Sequence, residues 1–192
     1  EAGYNIVLPL TVNFHYPQDM SLEQLNWAYD VGLKMIVSDS SMSNSRSSMG
    51  TGLNVPSNNE NTHLYKNHPG FYGIYISDEP TPGNWQFANE RMAECKEEFG
   101  DDILLFVNHC LNDSYAALDI QYQDLFDVIT NTNVLSYDGY CMMDDGTVKS
   151  TFLSDAAITS YFAKRNGVLS CNFILTSGGY DRYRICSEND IR

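Results

Sequence analysis

Short apolar runs recur along the chain, and segments with a helical pattern separate them. Each run consists almost entirely of apolar residues, which is typical of a strand that is buried on both faces of a parallel sheet. The pattern therefore predicts six strands, at residues 5–10, 33–37, 71–77, 103–107, 134–137 and 168–175.

The helices predicted between these strands are defined by caps and by apolar periodicity. A capping box at residues 21–24 begins the first helix, and Gly32 ends it. Its apolar face is predicted to consist of Leu22, Leu25, Trp27, Ala28 and Val31. Further helices are predicted at residues 85–99, 115–126 and 152–164, with a short one before the third strand. This alternation predicts right-handed crossovers and a parallel sheet covered by helices.

Two parallel α/β architectures fit this alternation, a doubly wound open sheet and a barrel. The chain contains neither GxGxxG nor GxxxxGK[ST], and polar residues follow nearly every strand instead of clustering at one switch point. We therefore predict a single α/β domain over residues 1–192. It is expected to be a (β/α)₈ TIM-type barrel with about six of the eight β/α units present. Such a segment, taken alone, would have two open sheet edges and would tend to aggregate.

The charge of the chain narrows the choice of partner. Eleven Lys and Arg residues oppose 25 Asp and Glu residues, which gives a formal net charge of -14 at pH 7. Such a chain would repel nucleic acid and acidic membrane surfaces. No apolar run approaches the roughly 20 residues that a spanning helix needs. We therefore predict a neutral substrate, no nucleic-acid partner and no membrane insertion.

Metal, phosphate and nucleophilic-hydrolase sites all lack their usual motifs. His109 and Cys110 have no partners at zinc-finger spacing, and neither Lys nor Thr follows Gly178 and Gly179. GxSxG does not occur, and the five cysteines are spaced irregularly without a CxxC pair. The sequence therefore predicts mostly buried thiols, no metal and no cofactor.

The third strand ends in the most informative residues of the chain, Asp78-Glu79-Pro80. An acid directly after a buried strand costs desolvation free energy, and acids at the carboxyl ends of barrel strands are typically catalytic. Burial against aromatic rings would raise the pKa of Glu79, as a general acid requires near neutral pH. The alternative is a carboxylate that only caps the amides of the following helix, near Pro82.

Several motifs also resemble those of a known group of barrel proteins. They are His68-Pro69-Gly70-Phe71, the strand into Asp78-Glu79-Pro80, the strand end Val107-Asn108, and Leu135-Ser136-Tyr137-Asp138-Gly139-Tyr140. In this order they resemble barrel proteins of gut Bacteroidetes that are described as glycoside hydrolase-like, and the resemblance covers most of the chain. It implies a carbohydrate partner and a periplasmic, extracellular or cell-surface location.

The resemblance also implies roles for particular residues. If the first strand here corresponds to barrel strand two, Glu79 lies at the end of strand four, where retaining barrel glycosidases carry their acid/base after an asparagine. Asp78 takes the place of that asparagine. The nucleophile would belong at the end of strand seven, but residues 171–178 contain no carboxylate. This sequence therefore departs from the pattern at the nucleophile.

Glycoside hydrolysis normally needs a second carboxylate, and Asp138 is the best candidate. It could act as a base or nucleophile, or it could bind substrate hydroxyls, and Asp39 is a weaker choice. The predicted substrate-binding residues, all at or near strand ends, are Asn13, His15, Asp39, Asp78, Trp85, Asn108, Tyr137 and Tyr140. The aromatic rings among them, with Tyr180, could stack on sugar rings, but rings at such positions also pack in the core.

Three functions follow from these observations. The first is a glycoside hydrolase with Glu79 as general acid/base and Asp138 as the second catalytic carboxylate. The second is a catalytically inactive barrel that binds carbohydrate, which the missing nucleophile favours. The third is a structural module of a larger surface protein.

Overall fold

The computed structural model describes residues 5–8, 18–37, 62–109, 122–137 and 139–172. Its strands are β1 (Ile6–Val7), β2 (Lys34–Val37), β3 (Phe71–Asp78), β4 (Leu104–His109), β5 (Val134–Tyr137) and β6 (Leu169–Asn172). Its helices are α1 (Gln18–Asp30), α2 (Thr62–Tyr65), α3 (Pro82–Phe99), α4 (Tyr122–Val128) and α5 (Phe152–Asn166). All six predicted strands are confirmed, although β1 and β6 are shorter than predicted within the described residues.

The strands form one six-stranded sheet in the order β1-β2-β3-β4-β5-β6, so each strand pairs with the next along the chain. Every pair is parallel. A doubly wound sheet reverses its strand order at a switch point, and the described strands contain no such reversal. The sheet curls into a half-barrel accompanied by helices, which confirms the predicted parallel α/β fold.

Alternating side chains divide the sheet into an outer and an inner face. The outer face packs against α1, α3, α4 and α5, and its strand residues include Met35, Ile74, Leu105 and Leu135. The inner face holds a smaller apolar cluster of Ile36, Tyr75, Phe106 and Val134, with Ile6, Leu8 and Leu104 against it. Helices therefore cover the convex side, and no helix among the described residues packs on the concave side.

A β-bulge in β3 changes which face its last residues meet. Tyr75 pairs with Phe106, but Ser77 pairs with Val107 and Asp78 with Asn108, so Ile76 is an extra residue opposite β4. Without the bulge, Asp78 would follow Ile74 and Ile76 onto the outer face, because side chains alternate along a strand. The extra residue instead places Asp78 on the inner face beside Asn108, in the way that bulges re-aim side chains near active sites.

The apolar face predicted for α1 is partly wrong. Leu25 and Ala28 are buried in the outer core, whereas Trp27 is 57% and Val31 72% exposed. Successive helical residues are rotated by about 100°, which places Trp27 and Val31 on the side of α1 opposite Leu25. Helix α1 also begins at Gln18, upstream of the capping box.

The other predicted helices are confirmed with shifted bounds. Helix α3 begins at Pro82, three residues before the prediction, because proline is well suited to the first turn of a helix. Helix α5 ends at Gly167, whose left-handed backbone allows its amide to bond the last carbonyl groups. Residues 122–128 are helical, and the earlier part of the predicted helix at 115–126 lies outside the described residues.

Candidate active site

Polar side chains form a row across the inner face at the carboxyl ends of four neighbouring strands. Asp78 of β3 is the register partner of Asn108 on β4, which pairs with Ser136 on β5, which pairs with Cys171 on β6. We call these four residues the mouth row. The Asn108 side-chain amide donates a hydrogen bond of 2.9 Å to Oδ1 of Asp78, so these two side chains meet on the same face.

Two members of the mouth row are buried with polar atoms that have no hydrogen-bond partner. Asn108 is 4% exposed and Ser136 is fully buried. Neither the Asn108 Oδ1 atom nor the Ser136 Oγ atom has a hydrogen-bond partner in the described part of the chain. Such an atom costs roughly 1–3 kcal/mol of stability. Native proteins retain few of these atoms, and function is one reason for retaining them.

Glu79 has a strained backbone directly after β3. Its φ is +42°, and it is the one non-glycine residue with positive φ among the residues that the structure describes. Its amide donates a 2.7 Å hydrogen bond to the carbonyl group of Asn108, which anchors the turn on β4. A left-handed backbone costs a residue with a side chain roughly 1–2 kcal/mol. Strain of this kind concentrates at functional sites, and the half-buried Glu79 lies next to the mouth row.

Trp85 braces the turn that carries Glu79. Its indole nitrogen donates a 2.8 Å hydrogen bond to the Pro80 carbonyl group, and its ring lies in the outer core with 4% exposure. Stacking on a sugar needs an exposed ring face. Burial therefore favours a packing role for Trp85 over the predicted binding role.

A second group of buried polar residues lies on the opposite face of the same strand ends. His109 follows Asn108 on β4 and is the register partner of Tyr137 on β5. Asp155 and Thr159 lie one turn apart on α5, and the charge of Asp155 acts on Tyr137. All four residues are at most 4% exposed. We call them the outer polar layer.

Burial controls ionisation in this layer. It lowers the pKa of His109 to about 3, so the imidazole is neutral at physiological pH. Neither ring nitrogen of His109 has a hydrogen-bond partner. Burial raises the pKa of Tyr137, and the nearby Asp155 and Cys141 raise it further. Tyr137 is 2% exposed, so its position, like that of Trp85, favours packing over sugar stacking.

Steric contacts explain why position 139 is a glycine. A Cβ atom at Gly139 would lie 2.4 Å from Cε2 of Tyr137 and 3.3 Å from Oδ1 of Asn172. Any larger residue would therefore collide with the Tyr137 ring. The packing of Tyr137 therefore requires glycine at position 139.

The structure brings together only some of the predicted site residues. Asp78, Glu79 and Asn108 lie at the mouth, Trp85 and Tyr137 lie on the outer face, and Tyr140 is half-buried after β5. Asn13, His15, Asp39, Asp138 and Tyr180 lie outside the described residues. Ser136 was not among the predicted site residues. The signal that could have identified it is strand alternation, which places Ser136 on the face opposite Tyr137.

Other ligand types find little support in the described part of the chain. It contains no group of three or more potential metal-ligating side chains, and none of its helices is long and apolar enough to cross a membrane.

Cys95, Cys141 and Cys171 are free thiols. Burial raises the pKa of Cys95 to about 11. Cys171 is exposed, so the prediction of buried thiols is only partly correct.

Comparison of the chain with protein-family models, curated proteins and solved structures gave no match. The residues at the mouth are therefore the basis for a proposed function.

Proposed function

We propose that the chain is a glycoside hydrolase in which Glu79 is the general acid/base. The observation that carries the proposal is the strained backbone of Glu79, held by the Asn108 carbonyl group beside the Asp78–Asn108 pair. Catalytic residues of parallel barrels occupy this position at the carboxyl ends of strands. A protonated Glu79 would deliver its proton to the glycosidic oxygen as the bond to the leaving sugar breaks.

The architecture that we propose around this site is a TIM-type barrel. Sequential order, uniform parallel pairing and the curl of the sheet are the features that support it. In that architecture the six described strands form one part of the wall, and about two further β/α units close it.

Asp138 remains our proposed second carboxylate. It follows Tyr137 at the end of β5, two strands from Glu79. At the described strand ends, Asp78 and Glu79 are the acidic residues, and Asp78 accepts a hydrogen bond from Asn108. This bond suits Asp78 for orienting Asn108 and for binding a hydroxyl group, and it leaves the base or nucleophile role to Asp138.

The first test compares the wild type with Glu79→Gln on a panel of neutral plant and host polysaccharides. Loss of the proton donor should lower kcat by a factor of roughly 10² to 10⁴ and leave binding in place. Glu97→Gln changes an exposed glutamate on α3 and is the matched control. Full turnover by Glu79→Gln would refute the assigned role.

A catalytically inactive, carbohydrate-binding barrel is the second candidate. It is favoured by the end of β6, because residues 169–180 contain no Asp or Glu where the resemblance would place the nucleophile. This candidate predicts that wild type binds a polysaccharide without cleaving it and that Asn108→Ala weakens binding. A structural module would bind no glycan at all. Export to the periplasm or cell surface is part of either carbohydrate proposal.

A further inference from the structure

We infer that the mouth row selects an uncharged sugar, and that Ser136 is a specificity-determining residue that binds one of its hydroxyl groups. The inference rests on the proposed carbohydrate function and adds a substrate class to it. It starts from the two unpartnered polar atoms of the row, the Asn108 Oδ1 atom and the Ser136 Oγ atom.

The orientation of the Asn108 amide is fixed by its neighbour. A carboxylate only accepts hydrogen bonds, so the amide nitrogen of Asn108 must be the atom that faces Asp78. The Oδ1 atom is therefore left as an acceptor. A ligand group that satisfies it must donate a hydrogen bond.

Ser136 supplies the complementary group on the next strand. Its hydroxyl can donate and accept, and it lies at the same level as Asn108 because the two residues are register partners. Neighbouring strands are about 4.8 Å apart. One oxygen atom placed between them can therefore lie about 2.8 Å from both side chains, at a normal hydrogen-bond distance. A sugar hydroxyl meets both needs, since it can donate to Asn108 and accept from Ser136.

Charge at the row disfavours an acidic sugar. A carboxylate or sulfate offers only acceptor atoms, so it cannot satisfy the Asn108 Oδ1 atom, and it would also meet the Asp78 carboxylate. The described strands carry neither Lys nor Arg at their carboxyl ends, and the chain has a net charge of -14. The row therefore lacks a cation that would offset this repulsion.

The row also has accessible ends. Asp78 is half-buried and Cys171 is exposed, whereas Asn108 and Ser136 between them are buried. A ligand would therefore approach the row from Asp78 or from Cys171.

The test measures binding of matched oligosaccharides to the full-length protein by titration calorimetry. The pairs are galacto- against galacturono-oligosaccharides and manno- against mannurono-oligosaccharides. We expect wild type to bind the neutral member of at least one pair tenfold or more tighter than the acidic member.

Ser136→Ala should weaken neutral binding by a factor of five to ten without lowering the melting temperature. Asp78→Asn keeps an acceptor for the Asn108 amide but removes the negative charge. It should therefore reduce the difference in affinity between the neutral and the acidic member of each pair. Ser160→Ala, an exposed serine on α5, is the control.

The outcomes separate this inference from the proposed catalytic function. Neutral binding without cleavage would overturn the glycosidase proposal and leave the selectivity intact. Cleavage of an acidic glycan, or equal affinity for both members of a pair, would overturn the selectivity and leave the glycosidase proposal intact. Unchanged affinity of Ser136→Ala would remove the role of Ser136. Absence of binding to every oligosaccharide would overturn this inference, whereas the glycosidase proposal would still be decided by turnover of the polysaccharide panel.

Discussion

The mouth row and the outer polar layer share two strands, β4 and β5, on which their members are consecutive residues. Asn108 precedes His109 on β4, and Ser136 precedes Tyr137 on β5, yet strand alternation sends the members of each pair to opposite faces. All four are buried and carry polar atoms without hydrogen-bond partners. These four residues thus differ in what surrounds them, and hardly in their degree of burial.

That difference determines what each group can do. The mouth row includes the half-buried Asp78 and lies next to the half-buried Glu79, so one end of the row is partly exposed. The outer layer lies on the face of the sheet that the helices cover, and burial keeps His109 neutral. A polar residue at a strand end is therefore evidence of a site only when its side chain faces the concave side of the sheet.

The largest expected effect concerns the outer layer and acid. His109 takes up a proton near its ordinary pKa of 6.5 when the chain is unfolded, but only near pH 3 when it is folded. The unfolded state therefore binds more protons in this interval. The stability due to neutral His109 is fully present above about pH 6.5 and is lost as the pH falls toward 3, by as much as about 5 kcal/mol.

Urea denaturation of wild type and His109→Leu between pH 7.5 and 4 measures this effect. The variant should lose less stability than wild type over that range, because the ionisable group is gone and an apolar side chain fills the site. If the free energy of unfolding fell by the same amount in both proteins between pH 7.5 and 4, His109 would not be kept neutral by the fold.

The next effect separates the two faces at β5. Tyr137→Phe removes a buried hydroxyl that has no partner and that lies near Asp155, so the free energy of unfolding should rise by about 1 kcal/mol. Glycan binding should not change, because the ring faces the outer core. Thermal melts and calorimetry check both points. A loss of affinity as large as that of Ser136→Ala would contradict the division between the faces.

The smallest effect on stability concerns Glu79. Glu79→Gly relieves the left-handed strain of about 1–2 kcal/mol but adds the backbone entropy of glycine, so the stability should stay within about 1 kcal/mol of wild type. Activity should still be lost with the carboxyl group. Glu97→Gly, in an exposed stretch of α3, should instead cost about 1 kcal/mol. Equal destabilisation by both substitutions would show that the Glu79 backbone is not strained.

Sequence patterns were sufficient for the parallel α/β sheet because the strands are short, almost continuously apolar runs separated by helical segments. They were less reliable for helix faces. Trp27 and Val31 are apolar but lie on the exposed side of α1, since apolar character alone does not specify the rotation of a helix about its axis.

The positions of the candidate site residues along the strands were predictable, but the faces to which their side chains point were only partly so. Asp78 and Glu79 are recognisable from their place after β3. The bulge at Ile76 has no sequence signature here, and it is the bulge that sends Asp78 to the inner face. The burial of Trp85 and Tyr137 depends on helix packing from distant segments, so their rings could not be assigned to the core from local sequence.

The order of the strands has a consequence for how the protein forms. Each described strand pairs with the one before it and the one after it, and none of these pairings skips a strand. During synthesis, each new β/α unit can dock on the edge left by its predecessor as it leaves the ribosome. Assembly can therefore proceed vectorially from β1, and no described strand has to wait for a partner encoded far downstream, which shortens the time that its backbone groups stay unpaired.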